Sequence, residues 1–344
     1  MASITTFTGS PRLIRVNLVA FENGVGNSRD IALLRHALAA IGCEVTLIVP
    51  TKHARRRRKL GLVRAFARAR LKRAASARAA GRAARFDVTV MLEHAWPEAL
   101  HLAARNVIVP NPEFFDRHDQ RMLGCFDAIW AKTRATEALF QPLGRSTRLT
   151  GFDSEDRYLD GGVRAPTFLH VAGKSRMKGT ARLLELWSRH PEWPLLTVVQ
   201  SLGGRAAPPV RANLKLRSDY LTDAELKALQ NQHGIHLCTS ETEGWGHYIA
   251  EAESAAAIVI ATDAAPMNEL VRPERGLLVG ARLSGRQNLA STFEFDTGAL
   301  EAAVERVLAL GDDGRRRLGA AARDWFHDNK RDFPARLTRA LAAE

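Results

Sequence analysis

The chain has 344 residues, 46% apolar and 25% charged, enough for two α/β domains with separate cores and too apolar for a disordered chain. Its formal net charge of +13 is confined to one place. Thirteen Lys or Arg and no Asp or Glu fall between Arg55 and Arg85, and the rest holds 37 basic against 37 acidic residues, which excludes a uniformly basic protein.

No stretch approaches about 18 consecutive apolar residues, so no membrane span is expected. The first residues lack a basic region followed by an apolar run, so no signal peptide is expected. Cys43, Cys125 and Cys238 have no metal-ligand spacing and read as buried thiols of a reducing compartment.

Residues 13–20 read as a first strand, followed by a turn carrying Gly24 and Gly26. Ser28 is the expected N-cap of a helix over 29–41 that ends at Gly42, and 44–49 form a second strand. Such a βαβ opening occurs in many α/β proteins, and a tight turn alone explains its glycines. In residues 54–85, Leu60, Val63, Phe66, Ala67 and Leu71 recur at helical spacing, with arginines on the other faces. A basic helix on anionic lipid, a solvated arm and a nucleic-acid contact all fit that pattern.

Residues 87–92 form a strand ending in Glu93-His94, and 106–109 a strand ending in Pro110-Asn111-Pro112-Glu113. A strand over 127–131 leads through Thr133 into a helix to about residue 141. Ligands gather at strand C-terminal ends in open α/β sheets, which singles out Glu93, His94, Asn111 and Glu113. Residues 155–166 are polar and glycine-rich, as a hinge should be. After a strand over 167–172 comes a loop with Lys174, Arg176 and Lys178 just before a helix start, a good phosphate site. Helices are expected over 180–190 and 224–231, with strands over 195–200 and 235–238. Three more helices are expected over 297–310, 315–329 and 333–341.

The most informative stretch is 240–279. Seven residues separate Glu243 from Glu251, with Gly244 and Gly246 just after the first. A small-residue helix follows, then the apolar strand 258–261, then Thr262-Asp263, Asn268-Glu269 and Gly276-Leu277-Leu278-Val279. Glycines allow backbone N–H groups to approach a ligand, and the helix behind points its positive end the same way. A carboxylate at Glu251 can accept hydrogen bonds from a diol.

This pattern resembles the E-x7-E signature of retaining family-4-type glycosyltransferases (glycosyl transferases group 1) with the GT-B fold. The resemblance runs from about residue 12 to the end and is looser in the first half. There the loop has Gly24 and Gly26 instead of paired glycines, and Gly151-Phe152-Asp153 lacks the family's Asn. His94 matches one family histidine, and Asn111 stands where a second is common.

The resemblance implies α/β, GT-B architecture: two facing Rossmann-like domains with a cleft between them. Residues 1–160 would be the acceptor domain and 161–329 the donor domain, with a C-terminal helix, about 330–344, returning to the first. It implies Lys174 and Lys178 on the donor diphosphate, together with the backbone of Gly244, Trp245, Gly246 and His247. Glu251 would hold the ribose, Glu243 would orient the loop or donor sugar, Gly24 and Gly26 would face the sugar-diphosphate, and His94 is a catalytic candidate. The expected activity is metal-independent transfer, with retention, from a nucleoside diphosphate sugar to a glycan or lipid-linked acceptor, with no metal or other cofactor. Residues 55–85 would meet an anionic membrane surface, no nucleic acid is expected, and the location would be cytoplasmic, peripheral on the inner face. The alternatives are a nucleotide-sugar epimerase of the same fold, a basic nucleic-acid-binding protein, and a non-catalytic GT-B scaffold.

Overall fold

A computed structural model describes residues 13–22, 24, 26–51, 85–162, 164–201 and 211–342. Nearly all of the basic segment, and with it the expected amphipathic helix, lies outside the described residues.

Two parallel six-stranded sheets make up the chain. The first contains β1 (Ile14–Val19), β2 (Cys43–Ile48), β3 (Phe86–Leu92), β4 (Ala103–Val109), β5 (Ala128–Ala131) and β6 (Ser146–Leu149), in the order β2-β1-β3-β4-β5-β6. The second contains β7 (Ala165–Gly173), β8 (Leu196–Gln200), β9 (Leu214–Arg217), β10 (His233–Cys238), β11 (Ile258–Thr262) and β12 (Gly276–Val279), in the order β12-β11-β10-β7-β8-β9. Every residue of β11 is buried, because strands covered on both faces carry unbroken apolar runs. The helices are α1 (Gly26–Ala40), α2 (Arg117–Met122), α3 (Arg134–Phe140), α4 (Thr180–Ser188), α5 (Asp223–Gln232), α6 (His247–Ser254), α7 (Met267–Leu270), α8 (Thr297–Ala309) and α9 (Asp312–Ala342).

Each sheet has one apolar cluster of its own, around Phe115 and Ile129 in the first and around Trp187 and Ile260 in the second. A third cluster crosses between them. It joins Leu18, Val90 and Trp130 of the first sheet to Trp245, Ile249 and Val259 of the second and to Phe333 and Leu337 of α9. Burial of this continuous apolar seam sets the two sheets against each other.

Two expectations are corrected. Helix α1 begins at Gly26, so Ser28 is no N-cap: it lies in the first turn, and its hydroxyl accepts from Gly24 N at 2.8 Å. The two last helices are one, because the polar run 328–332 does not break α9, even with Pro334 inside it. Phe326 and Phe333 hold it by burial on either side of that run. Lys330 bonds Asp153 at 2.9 Å, and Arg336 Nε donates to Thr150 O at 2.7 Å, so α9 is stapled to the segment linking the domains. A hairpin of β13 (Ala281–Gln287) and β14 (Ala290–Phe295) was not foreseen.

Candidate functional site

In the second sheet β7 and β10 are neighbours, and their chains leave toward opposite edges. A crevice opens at such a switch point, so the loops after β7 and β10 face each other there. That topology brings Lys178 to Glu243. Lys178 Nζ and Ser240 Oγ both bond Glu243 Oε1. The ammonium also sits 3.6 Å from the Tyr248 ring centroid, whose hydroxyl meets Ser240 Oγ at 2.6 Å. The loops run so close that a Cβ on Gly179 would fall 2.7 Å from Thr239 O. Gly246, at φ 104°, starts α6 and no side chain caps it. The first N–H groups of α6 therefore form an anion-facing terminus. Lys174 and Arg176 are exposed on the same loop and have no ion pair among the described residues.

The first domain meets this crevice with the start of α1 and the end of β5. Glu251 is buried, bonded to Arg29 Nη1 and, at 3.1 Å, to Gln230 Nε2. His247 bonds Asp30 through Nε2 and Ser154 Oγ through Nδ1 at 2.9 Å, while Trp245 Nε1 donates to Ser154 Oγ at 3.1 Å. Lys132, fully buried, bonds Asp30 and, at 2.9 Å, Asn111 Oδ1. Burial raises the Asp30 carboxyl, but Lys132 and His247 outweigh it and hold its pKa down at about 2. The sequence reading missed Arg29, Asp30 and Lys132. Lys132 follows the end of β5 directly, so the strand-end rule that singled out His94 reaches it as well.

His94 follows Glu93, which comes just after β3 at φ 65°. His94 Nδ1 meets Asp119 Oδ2 at 2.9 Å, and its Nε2 lies 3.4 Å from Glu93. Asp119 also accepts from Ala95 N and Asp116 N, and Asp116 caps α2. These three residues are close enough to share a cation, but both carboxylates already serve backbone amides. Gly24, at φ 71°, lies in the turn before α1, and Gly26 is its first residue.

Three further contacts cross between the domains. Glu269 accepts from Arg134 N and Ala135 N at 2.6 and 2.7 Å, capping α3 from the opposite domain. The β13–β14 tip reaches the loop after β4: Asn288 Nδ2 donates to Glu113 O at 2.7 Å and Leu289 N to Pro112 O at 3.2 Å. A Cβ on Gly244 would stand 2.4 Å from Asn111 Oδ1 and 3.0 Å from Glu113 Oε1, so only glycine fits between them. A separate cavity of about 740 Å³ lies beside α9, lined by Tyr158, Arg164, Arg315 and Arg323. Its guanidinium groups are spent on backbone carbonyls, on Asn231 and on Asp156, Asp312 and Asp313, and none of its residues belongs to the crevice.

Together, then, the structure gathers Lys178, Glu243, Gly244, Trp245, Gly246, His247 and Glu251 around the start of α6. Lys174 stands at the open edge of the β7 loop, and His94 belongs to the first domain's own strand-end cluster.

No family model and no curated protein sequence matches the chain. Solved structures do match in fold. A glycosyltransferase from Rickettsia africae superposes with a TM-score of 0.68 at 14% identity, covering 96% of this chain and 98% of that one. Sucrose-phosphate synthase from Thermosynechococcus elongatus gives 0.67 at 16%, covering 96% and 99%. Anabaena HepE, in complex with UDP and glucose, gives 0.65 at 13%, covering 96% and 100%. The fold is the expected α/β, GT-B architecture.

Proposed function

We propose that the chain is a glycosyltransferase that moves a sugar from a nucleoside diphosphate sugar to a hydroxyl acceptor, with retention and without a bound metal. One observation carries the reading: Lys178 and Glu243 meet beside the uncapped start of α6, at the switch point of the second sheet. A departing diphosphate develops negative charge, and preorganised cations and N–H groups lower that barrier. In the resting site Glu243 neutralises Lys178. An arriving diphosphate takes over the ammonium, which frees Glu243 for hydroxyls of the donor sugar. Among the described residues Lys174 and Arg176 have no ion pair to give up before they reach the same phosphates. Glu251 holds the ribose by sharing the carboxylate now bonded to Arg29, and Asp119 keeps the His94 ring oriented at the acceptor side. The departing phosphate takes the acceptor's proton on the face it leaves, which preserves configuration.

The test is a thermal-shift series with UDP, GDP, ADP, CMP and dTDP, since a bound ligand raises stability by mass action. UDP comes first because HepE holds it. Stabilisation by one diphosphate, followed by transfer from its sugar to an added acceptor, supports the reading. A new sugar isomer formed from donor alone points instead to an epimerase, and no shift with any of the five overturns both.

The polybasic stretch favours a glycan or lipid-linked acceptor at an anionic surface on the cytoplasmic side. Each Lys or Arg near such a surface is worth roughly 1 kcal/mol. No described helix is long and apolar enough to cross a membrane, so attachment would rest on charge. Co-sedimentation with anionic vesicles at low salt, weakened when residues 55–58 become Ser, supports this. Absence of binding favours a soluble acceptor.

A further inference from the structure

One buried carboxyl in the crevice has no role in the mechanism above. Glu113 lies in the loop after β4 and is 7% exposed, yet its Oε2 has no hydrogen-bond partner. A buried polar atom left unpaired is costly and asks for a reason. Its other oxygen rests on the backbone of Gly244, within 3.0 Å of where a Cβ would stand. Gly244 is the first glycine of the loop that leads into the anion-facing start of α6.

The placement is also enforced from outside. Asn288 and Gln287, at the tip of the β13–β14 hairpin, donate to Glu113 O at 2.7 and 3.2 Å. A second-domain hairpin therefore pins the backbone of Glu113 beside a second-domain glycine loop.

The charged groups facing Glu113 are Glu243 from the glycine loop, Glu93 from the end of β3 and Lys132 from the end of β5. Burial is the largest influence and raises its pKa. Its own backbone amide opposes this, Glu243 raises it further, Lys132 lowers it and Glu93 raises it, for a net value of about 7. Lys132 is already committed to Asp30 and Asn111. A diphosphate beside Gly244 adds negative charge and holds the proton on more firmly. A protonated carboxyl differs from a carboxylate in having an O–H to donate.

We propose that Glu113 is a donor-contacting residue that presents its carboxyl O–H to the sugar-diphosphate group across Gly244 and steadies the oxygen that departs. This rests on the donor-site reading above. In the transfer, the bond between the anomeric carbon and the phosphate oxygen breaks, and its electron pair stays with the diphosphate. The acceptor oxygen forms the new bond to that carbon, and its proton passes to the diphosphate. Glu113 keeps its own proton throughout.

The test compares the full-length wild-type chain with Glu113→Gln and Glu113→Ala. The readouts are the pH profile of kcat/KM and calorimetric binding of whichever of UDP, GDP, ADP, CMP or dTDP stabilises the wild type most. In the wild type kcat/KM falls as pH rises through about 7, because ionised Glu113 has no proton to donate. Gln keeps an N–H donor that does not titrate, so its profile loses this fall and its optimum stays within about tenfold of wild type. Ala is at least about tenfold worse than Gln.

Three results overturn the proposal: a wild-type profile with no fall between about pH 6 and 8.5, a fall that persists in Gln, or an Ala variant equal to wild type. If Ala does not fold, the Gln profile decides alone. Intact diphosphate binding beside any of these results sinks only the role of Glu113. No binding of any of the five nucleotides by the wild type sinks the donor-site reading, and this proposal with it.

Discussion

The two sheets end in crevice loops of opposite chemistry. The second domain presents Lys174, Arg176, Lys178, a glycine loop and an uncapped helix start. The first presents Glu93, Glu113, Asp30 and the His94–Asp119 pair, and the buried cation beside them, Lys132, is bonded to Asp30. Similar topology gives both domains a crevice, so topology does not decide what each one holds. Residue type at the strand ends does. A diphosphate belongs on the cationic side, while carboxylates suit a neutral, hydroxyl-rich group. Two contacts across the crevice also tie the halves together: the Arg29–Glu251 ion pair, which runs against the contrast, and the Asp30–His247 hydrogen bond.

The sharpest way to break that contrast is to remove Asp30. Asp30→Asn strands the Lys132 charge in the interior, and we predict a loss of about 3–5 kcal/mol in unfolding free energy at neutral pH. The double variant Asp30→Asn, Lys132→Met should recover much of it. The pH dependence has a definite sign. The Asp30 pKa is held down at about 2 from an ordinary value of 3.8, so its stabilising share is present above the unfolded value and is lost as pH falls toward the folded one. That share is about 2 kcal/mol. Urea midpoints across that window check both claims, and a midpoint unmoved in Asp30→Asn at neutral pH would mean that the pair bears no weight.

On the cationic side, Lys178→Ala should weaken binding of the nucleoside diphosphate by about 1.5–3 kcal/mol, roughly tenfold to a hundredfold. Binding of the bare nucleoside should hardly change, because the proposed partner of Lys178 is phosphate. Calorimetry with both ligands checks it. Equal losses would mean that Lys178 only positions Glu243.

The second domain was the more legible half. The buried runs of β10 and β11 and the loops after β7 and β10 are local patterns, and together they place Lys178 opposite Glu243. What stayed hidden was carried by contacts far apart in sequence. Arg29 meets Glu251 across 222 positions, His247 meets Asp30 across 217, and Lys132 meets Asp30 across 102. No periodicity encodes such a pairing, and an Arg or Asp in a first helical turn reads as solvated. The hairpin was hidden for another reason: β13 is mostly exposed, and its register shifts between Leu283 and Gly285, which blurs the strand alternation. In α9 the charged run 328–332 imitated a break that burial on both sides overrides.

Glu251 is where the two halves compete for one carboxylate. If Glu251 holds the ribose, Glu251→Ala should lower donor affinity by about tenfold, the smaller end for a charged hydrogen bond, because the ribose would share the group with Arg29. Arg29→Ala removes the competitor and should leave donor affinity equal or higher, while the unfolding midpoint falls. If Arg29→Ala weakens donor binding as much as Glu251→Ala does, the pair acts as a clamp between domains and the ribose assignment fails.

The smallest expected effect concerns the hairpin, the one second-domain element whose tip rests on the acidic side. Asn288 sits at φ 51°, a conformation that Asn tolerates better than most residues, and its side chain donates to Glu113 O. Two substitutions separate these contributions. Gly accepts the backbone angle but has no amide, so Asn288→Gly isolates the hydrogen bond, about 1 kcal/mol. Ala lacks the amide and also strains the backbone, adding roughly 1 kcal/mol more. If the tip steadies Glu113, Asn288→Gly slows transfer about fivefold while diphosphate affinity stays close to wild type. Asn288→Ala then falls below it. Transfer kinetics and calorimetry on the two variants check this, and a Gly variant as fast as wild type would mean that the Asn288 amide does not steady Glu113.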